Sequence, residues 1–86
     1  MSTVYIPQQW RDLTGGVERV EIAGVNLRQV ITALDARFPG IASRARSGDS
    51  FAPGVAASID GSMTGRLLAP VLPASEIHFL PALGGG

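Results

Sequence analysis

An 86-residue chain has material for one domain with a single small core, and not for a catalytic cleft walled by two lobes. Its residues are 45% apolar and its seven acidic residues balance seven basic ones, so the formal net charge of zero gives no electrostatic pull toward nucleic acid or an anionic membrane. Cysteine is absent, which excludes disulfides, thiolate metal sites and a cysteine nucleophile, and every basic residue is arginine, leaving the N-terminus as the only primary amine.

Thr3-Val4-Tyr5-Ile6 is a β-rich run ended by Pro7, and the two-residue period places Val4 and Ile6 on one face with Tyr5 on the other. Met1 to Val4 leads directly into this strand without a basic or apolar leader, and no window approaches the roughly 18 apolar residues of a membrane span. A cytoplasmic location is expected. The polar stretch from Gln8 to Thr14 carries Trp10 and Leu13. Thr14-Gly15-Gly16 supplies a chain reversal, and Val17 to Ile22 reads as a second strand completing a hairpin with a long connection.

Asn26 stands three residues before Gln29, the capping-box spacing, directly ahead of Leu27, Val30, Ile31, Leu34 and Phe38. These positions form one apolar helical face, with Asp35 and Arg37 on the solvated side and Pro39-Gly40 as the stop. Ile41 to Arg46 reads as a short further helical turn, and Ser47 to Gly54 as a mobile loop. Val55, Ala57 and Ile59 alternate before Asp60-Gly61, a dipeptide suited to a type I′ turn. The segment from Arg66 to Leu72 is apolar but broken by Pro70. Glu76 to Leu80 alternates again, with Ile77 and Phe79 inward, and Pro81 ends it.

A hairpin, one amphipathic helix and returning strands suit an α+β class. The helix then packs on one face of a mixed sheet, and the last strand lies beside the first. That arrangement is the β-grasp; a ferredoxin-like arrangement lacking a helix has the same periodicities. The expected organisation is a β-grasp domain over residues 1–81 and a flexible glycine-rich tail over residues 82–86.

The side chains offer no convincing catalytic or metal site. His78 is the sole histidine and, without cysteine, makes no metal site unless carboxylates stand at matched spacing, so it reads as an ordinary strand residue. Asp60 reads as a turn residue and not as a general base. The serines at 43, 47, 50, 58, 62 and 75 have no histidine near in sequence. Gly15-Gly16 and the Gly61 to Gly65 region do not open a helix, as a phosphate loop must. Arg37, Arg44 and Arg46 form a small basic cluster, read as a solvated face or as a docking patch.

The tail Pro81-Ala82-Leu83-Gly84-Gly85-Gly86 remains. A frayed end or a cloning remnant is the plain reading of three terminal glycines. Yet a strand that leads through Pro81 to the terminus suits presentation of that terminus. A glycine there, lacking a Cβ, fits a narrow channel and leaves its carboxylate open to attack. A carboxylate is a poor electrophile until converted to a mixed anhydride such as an acyl-adenylate. Attack by a sulfur nucleophile then gives a thiocarboxylate.

The sequence resembles the ThiS/MoaD family of ubiquitin-like sulfur carriers. The family's closing pattern, an apolar strand, a proline and a Gly-Gly end, aligns without a gap on Leu80-Pro81-Ala82-Leu83-Gly84-Gly85-Gly86, with Gly84 where alanine is common. Within the family it is most similar to the CysO-type carriers of cysteine biosynthesis, on Ile6-Pro7, Thr14-Gly15-Gly16 and Gly40-Ile41. Ala57-Ser58-Ile59-Asp60 and Pro73-Ala74-Ser75-Glu76 depart from the pattern.

The resemblance implies a non-enzymatic carrier, without a cofactor, whose Gly86 is adenylated by an E1-like enzyme of the MoeB/ThiF type and becomes a thiocarboxylate. Gly84 and Gly85 form its tail; separately, strand alternation places the expected docking face around the final strand and tail, at Leu80, Pro81 and Leu83. The resemblance also implies an acceptor enzyme: a cysteine synthase, the molybdopterin synthase large subunit or a thiazole synthase. Two other readings stand beside it. One is a ubiquitin-like modifier joined to proteins through Gly86; the other is a β-grasp binding module that uses an exposed sheet face.

Overall fold

In β1 (Ser2–Tyr5) and β2 (Arg19–Ile22), Val4, Val20 and Ile22 turn into the core while Tyr5, Arg19 and Glu21 turn out. The two strands pair antiparallel, from Ser2 opposite Ile22 to Tyr5 opposite Arg19, forming the expected hairpin. The computed structural model describes residues 1–81, so the tail expected over 82–86 lies outside the described residues.

The long hairpin connection is structured. A 3₁₀ turn at Gln8–Trp10 runs into α1 (Arg11–Thr14), where the sequence had shown only a polar stretch. Two side chains explain the difference. Trp10, 3% exposed, anchors the turn in the core, and Arg11 Nε donates to the Ile6 carbonyl at 3.1 Å.

The main helix α2 (Leu27–Arg37) buries Leu27, Val30, Ile31 and Leu34 along the expected stripe. Its N-terminus leaves backbone donors without intrahelical partners, and each donor of the first turn finds another. Gln29 N–H donates to Asn26 Oδ1 at 2.9 Å. Leu27 and Arg28 N–H donate to the carbonyls of Ala69 and Leu67, at 3.2 and 2.8 Å. Gln29 Oε1 reaches back one residue further than the usual capping box and accepts from Val25 N–H at 3.0 Å. The irregular segment between Arg66 and Leu72 is therefore the cap of α2, and its Leu67 and Val71 are buried.

Beyond α2, Asp35 does more than the solvated residue expected from its place on the helix. Its Oδ1 accepts from the N–H groups of Gly40 and Ala42, both at 3.0 Å, and so fastens α2 to α3 (Ile41–Ala45). Gly40 sits at φ +106° in this joint, and a Cβ there would approach the Leu13 side chain to 3.2 Å.

The loop expected after α3 contains a small antiparallel hairpin of β3 (Arg46–Ser47) and β4 (Ser50–Phe51). β5 (Ala56–Ile59) and β6 (Ser62–Thr64) then form a second hairpin around Asp60 and Gly61. Both turn residues have positive φ, 52° and 89°, as a type I′ turn requires.

The closing strand β7 (Glu76–Leu80) lies at the centre of a five-stranded sheet of order β2-β1-β7-β5-β6. It runs parallel to β1, with Val4 opposite Ile77, and antiparallel to β5, with Ala57 opposite Phe79. Every other pair in this sheet is antiparallel. With α2 over one face of this mixed sheet the fold is the β-grasp, and the ferredoxin-like alternative falls away. Val4, Ile31, Leu34, Ala57, Ile77 and Phe79 belong to the core between the layers. Each large side chain among them contributes about 1.5–3 kcal/mol through burial. Two buried serines close the far end. Ser2 Oγ donates to the Leu72 carbonyl, and Ser75 Oγ accepts from Leu72 N–H.

Candidate functional site

The site grows from the end of β7. Phe79 is 3% exposed and meets Trp10 with ring centroids 5.4 Å apart, so the strand is pinned one residue before its end. Leu80, the last residue of β7, lies opposite Ala56 and is 41% exposed, and Pro81 follows half-buried. β7 is flanked on both sides, by β1 along Glu76 to His78 and by β5 along Ile77 to Leu80. Leu83, Gly84, Gly85 and Gly86 lie outside the described residues.

The solvent face of the sheet beside this exit has an ordered composition. The register sets Arg19, Tyr5, His78, Ser58 and Met63 in one row across all five strands. Tyr5 and His78 stack at the centre of the row, while Met63 stands 65% exposed at its end. Leu80 lies two residues along from His78 on the same face. The result is a surface of aromatic, apolar and small polar groups with one arginine, a composition suited to burial against a protein.

The catalytic pairing open to His78 is not formed among the described residues. Ser58 is the cross-strand partner of His78, yet no hydrogen bond joins them, and Tyr5 covers the imidazole face instead. Asp60 is a turn residue as expected. Its Oδ1 accepts from Glu76 N–H at 2.8 Å, and this bond first, then the Ser75 hydroxyl, holds its carboxyl below the ordinary value. No group of three His, Asp or Glu side chains among the described residues is placed to hold a metal ion. No helix among them is long and apolar enough to cross a membrane.

The basic cluster read from the sequence is dispersed. Arg44 makes a bidentate pair with Asp12, at 2.7 and 2.8 Å, and also donates to the Gln9 carbonyl. Its hydrogen bond to Asp12, more than its charge alone, lowers the Asp12 pKa. Arg37 donates to the Glu21 carbonyl at 3.3 Å and lies over the Phe38 ring. Arg46 faces a separate recess with Arg28. Sequence reasoning missed the Trp10 buttress, which depends on the 3₁₀ turn packing against Phe79, and the Tyr5–His78 stack, which depends on the register of β1 against β7. The one signal was that Tyr5 and His78 each fall on the outward phase of their strands.

The comparisons agree with this geometry. The ThiS family matches residues 4–86. A chain of the Amycolatopsis orientalis BexX/CysO complex superposes with a TM-score of 0.92 at 28% identity, covering 100% of both chains. CysO of Mycobacterium tuberculosis, described as an antigen, gives 0.87 at 28% identity over 96% of this chain and 100% of that one. SAMP1 from Haloferax volcanii shares the fold, with a TM-score of 0.76 at 19% identity over 99% and 98%. No curated protein matches the sequence.

Proposed function

This chain belongs to the ThiS family, and from that premise we propose that it is a sulfur carrier charged at the carboxylate of Gly86. In this reading an E1-like enzyme of the MoeB/ThiF type joins the carboxylate to AMP from ATP and releases pyrophosphate. A sulfur nucleophile then displaces AMP, and an oxygen of the terminus is replaced by sulfur. The carrier supplies no catalysis of its own. Its contribution is a carboxylate borne on three glycines, without side chains to obstruct a narrow channel.

The observation that carries the reading is the continuity of β7 with the glycine end. The central strand of the sheet, pinned by Phe79, is separated from Gly84-Gly85-Gly86 by only Pro81, Ala82 and Leu83. The domain is then a handle, and Leu80, Pro81 and Leu83 are the docking residues next to the reactive end. Crystallisation of a similar chain in the BexX/CysO complex supports function through docking to a second protein. The acceptor of the sulfur in this reading is an enzyme that docks on the carrier, such as a cysteine synthase, a molybdopterin synthase large subunit or a thiazole synthase. Such chemistry, dependent on ATP and on a reduced sulfur donor, belongs in the cytoplasm.

ATP–pyrophosphate exchange by the cognate activating enzyme tests the activation step. Exchange is expected to require this chain and to vanish when Gly85 and Gly86 are removed. Exchange that survives this truncation would contradict the reading.

A further inference from the structure

Between α2, α3 and the β3–β4 hairpin lies an open recess of about 400 Å³, lined by Arg28, Ala42, Ser43, Arg46, Gly48 and Asp49. Arg28 projects from the first turn of α2, Ser43 from α3, and Arg46 stands where α3 gives way to β3. Ala42 is the only apolar side chain in the lining, so the recess does not suit an apolar ligand.

Its arginines have donors to spare. Arg44 has both terminal nitrogens committed to carboxylate oxygens. Arg46, although half-buried, has neither an ion pair nor a side-chain hydrogen bond among the described residues. Among the described residues Arg28 meets only Asp49, at 3.7 Å, with the two side chains 51% and 92% exposed. That separation is well beyond the roughly 2.7–2.9 Å of a charge-assisted hydrogen bond. The Ser43 hydroxyl likewise makes no hydrogen bond among the described residues. The recess is thus lined by two arginines, one loosely paired and one unpaired among the described residues, and by a single carboxylate, Asp49, which is carried on a turn beside Gly48 at φ +64°.

We propose that this recess is a binding site for a phosphate group, held by the guanidiniums of Arg28 and Arg46 and the hydroxyl of Ser43. Asp49 is the resident carboxylate that the phosphate displaces from Arg28. A phosphate presents three strong acceptor oxygens and more than one negative charge, so it can meet two guanidiniums and a hydroxyl at once and balances their charge more fully than a single carboxylate does. The site is distinct from the β7 exit and does not depend on the charging of Gly86.

The test is an NMR titration of the full ¹⁵N-labelled chain at constant ionic strength with inorganic phosphate, pyrophosphate, AMP and, as comparator, acetate. Saturable shifts are expected at Arg28, Ser43, Arg46, Gly48 and Asp49 with the phosphate compounds. Preference for AMP over the inorganic ions would identify a phosphate ester as the source, and the reverse a free phosphate. Arg46→Gln is expected to weaken binding about tenfold, as loss of a charged donor implies. Asp49→Asn is expected to tighten it severalfold, and Arg19→Gln, remote from the recess, to leave it unchanged. If Arg46→Gln disturbs folding, Arg28→Gln, on a more exposed side chain, carries the same expectation. The proposal is overturned by shifts that rise linearly at every arginine, by acetate binding as tightly as phosphate, or by a folded arginine variant that binds like the parent.

Discussion

Tyr5 and His78 stack with their ring centroids 4.3 Å apart and their planes 1° from parallel. They face each other across the parallel β1–β7 pair, so the stack ties the first strand of the chain to the strand that precedes the tail. Aromatic pairs of this kind contribute about 0.5–1.5 kcal/mol beyond burial. A double-mutant cycle with Tyr5→Leu and His78→Leu is expected to give a coupling of about 0.5–1 kcal/mol in urea unfolding. Additive single variants would mean that the rings are neighbours without mutual stabilisation.

Phe79 is the second anchor of the exit. Phe79→Ala removes a buried ring and its packing on Trp10, and the expected loss is about 3–5 kcal/mol. That is a large share of the roughly 5–15 kcal/mol typical of a domain. The emission of Trp10, the only tryptophan, should shift to the red as its neighbour disappears. An unfolding midpoint close to the parent's would show that β7 is held mainly by its backbone.

The cap of α2 makes a separable prediction. Asn26→Ala is expected to cost about 1 kcal/mol, whereas Asn26→Asp keeps an acceptor for Gln29 N–H and loses little. Equal losses for the two variants would assign the cap to the Ala69 and Leu67 carbonyls alone.

Much of this architecture was legible in the sequence because local chemistry and tertiary demand agreed. α2 announced itself through Asn26, the stripe from Leu27 to Leu34 and the Pro39-Gly40 stop. β7 did so through the alternation of Ile77 and Phe79. β6 was not legible, since Ser62-Met63-Thr64 is a short, largely exposed edge strand with no apolar phase. The β3–β4 hairpin was hidden for a related reason: of its strand residues only Phe51 is buried. Asp35 was read as merely solvated, and Ser75 was given no structural role, because both act through hydrogen bonds to backbone brought close by the fold, which periodicity does not encode. The candidate site was half legible. Leu80 and Pro81 were read from the tail pattern, whereas the row through Tyr5, His78 and Ser58 depends on register.

The acid limb of the stability curve follows from two carboxyls. Asp12, through its hydrogen bond to Arg44, and Asp60, through the Glu76 N–H, both have folded-state pKa values below the ordinary 3.8. A depressed carboxyl contributes stability that is present above the unfolded value and is lost as pH falls through the folded one. Stability is therefore expected to decline as the pH drops below 3.8, and Asp60→Asn should flatten that decline in urea titrations at stepped pH. A variant curve parallel to the parent's would remove Asp60 from the account.

Leu80 separates docking from folding. It is 41% exposed, so Leu80→Arg should alter stability by no more than about 0.5 kcal/mol. The same change places a charge in the proposed docking surface and is expected to raise the carrier concentration needed for half-maximal ATP–pyrophosphate exchange by about tenfold or more. Unchanged exchange kinetics would move the docking surface away from β7.

The central claim, that Gly86 takes up sulfur, is tested most directly by the intact mass of the chain after incubation with ATP, a sulfur source and the cognate activating enzyme. The account predicts a gain of about 16 Da, oxygen replaced by sulfur, confined to the C-terminal fragment and abolished by deletion of Gly86. No gain with the cognate enzyme, or an undiminished gain in the chain lacking Gly86, would contradict it.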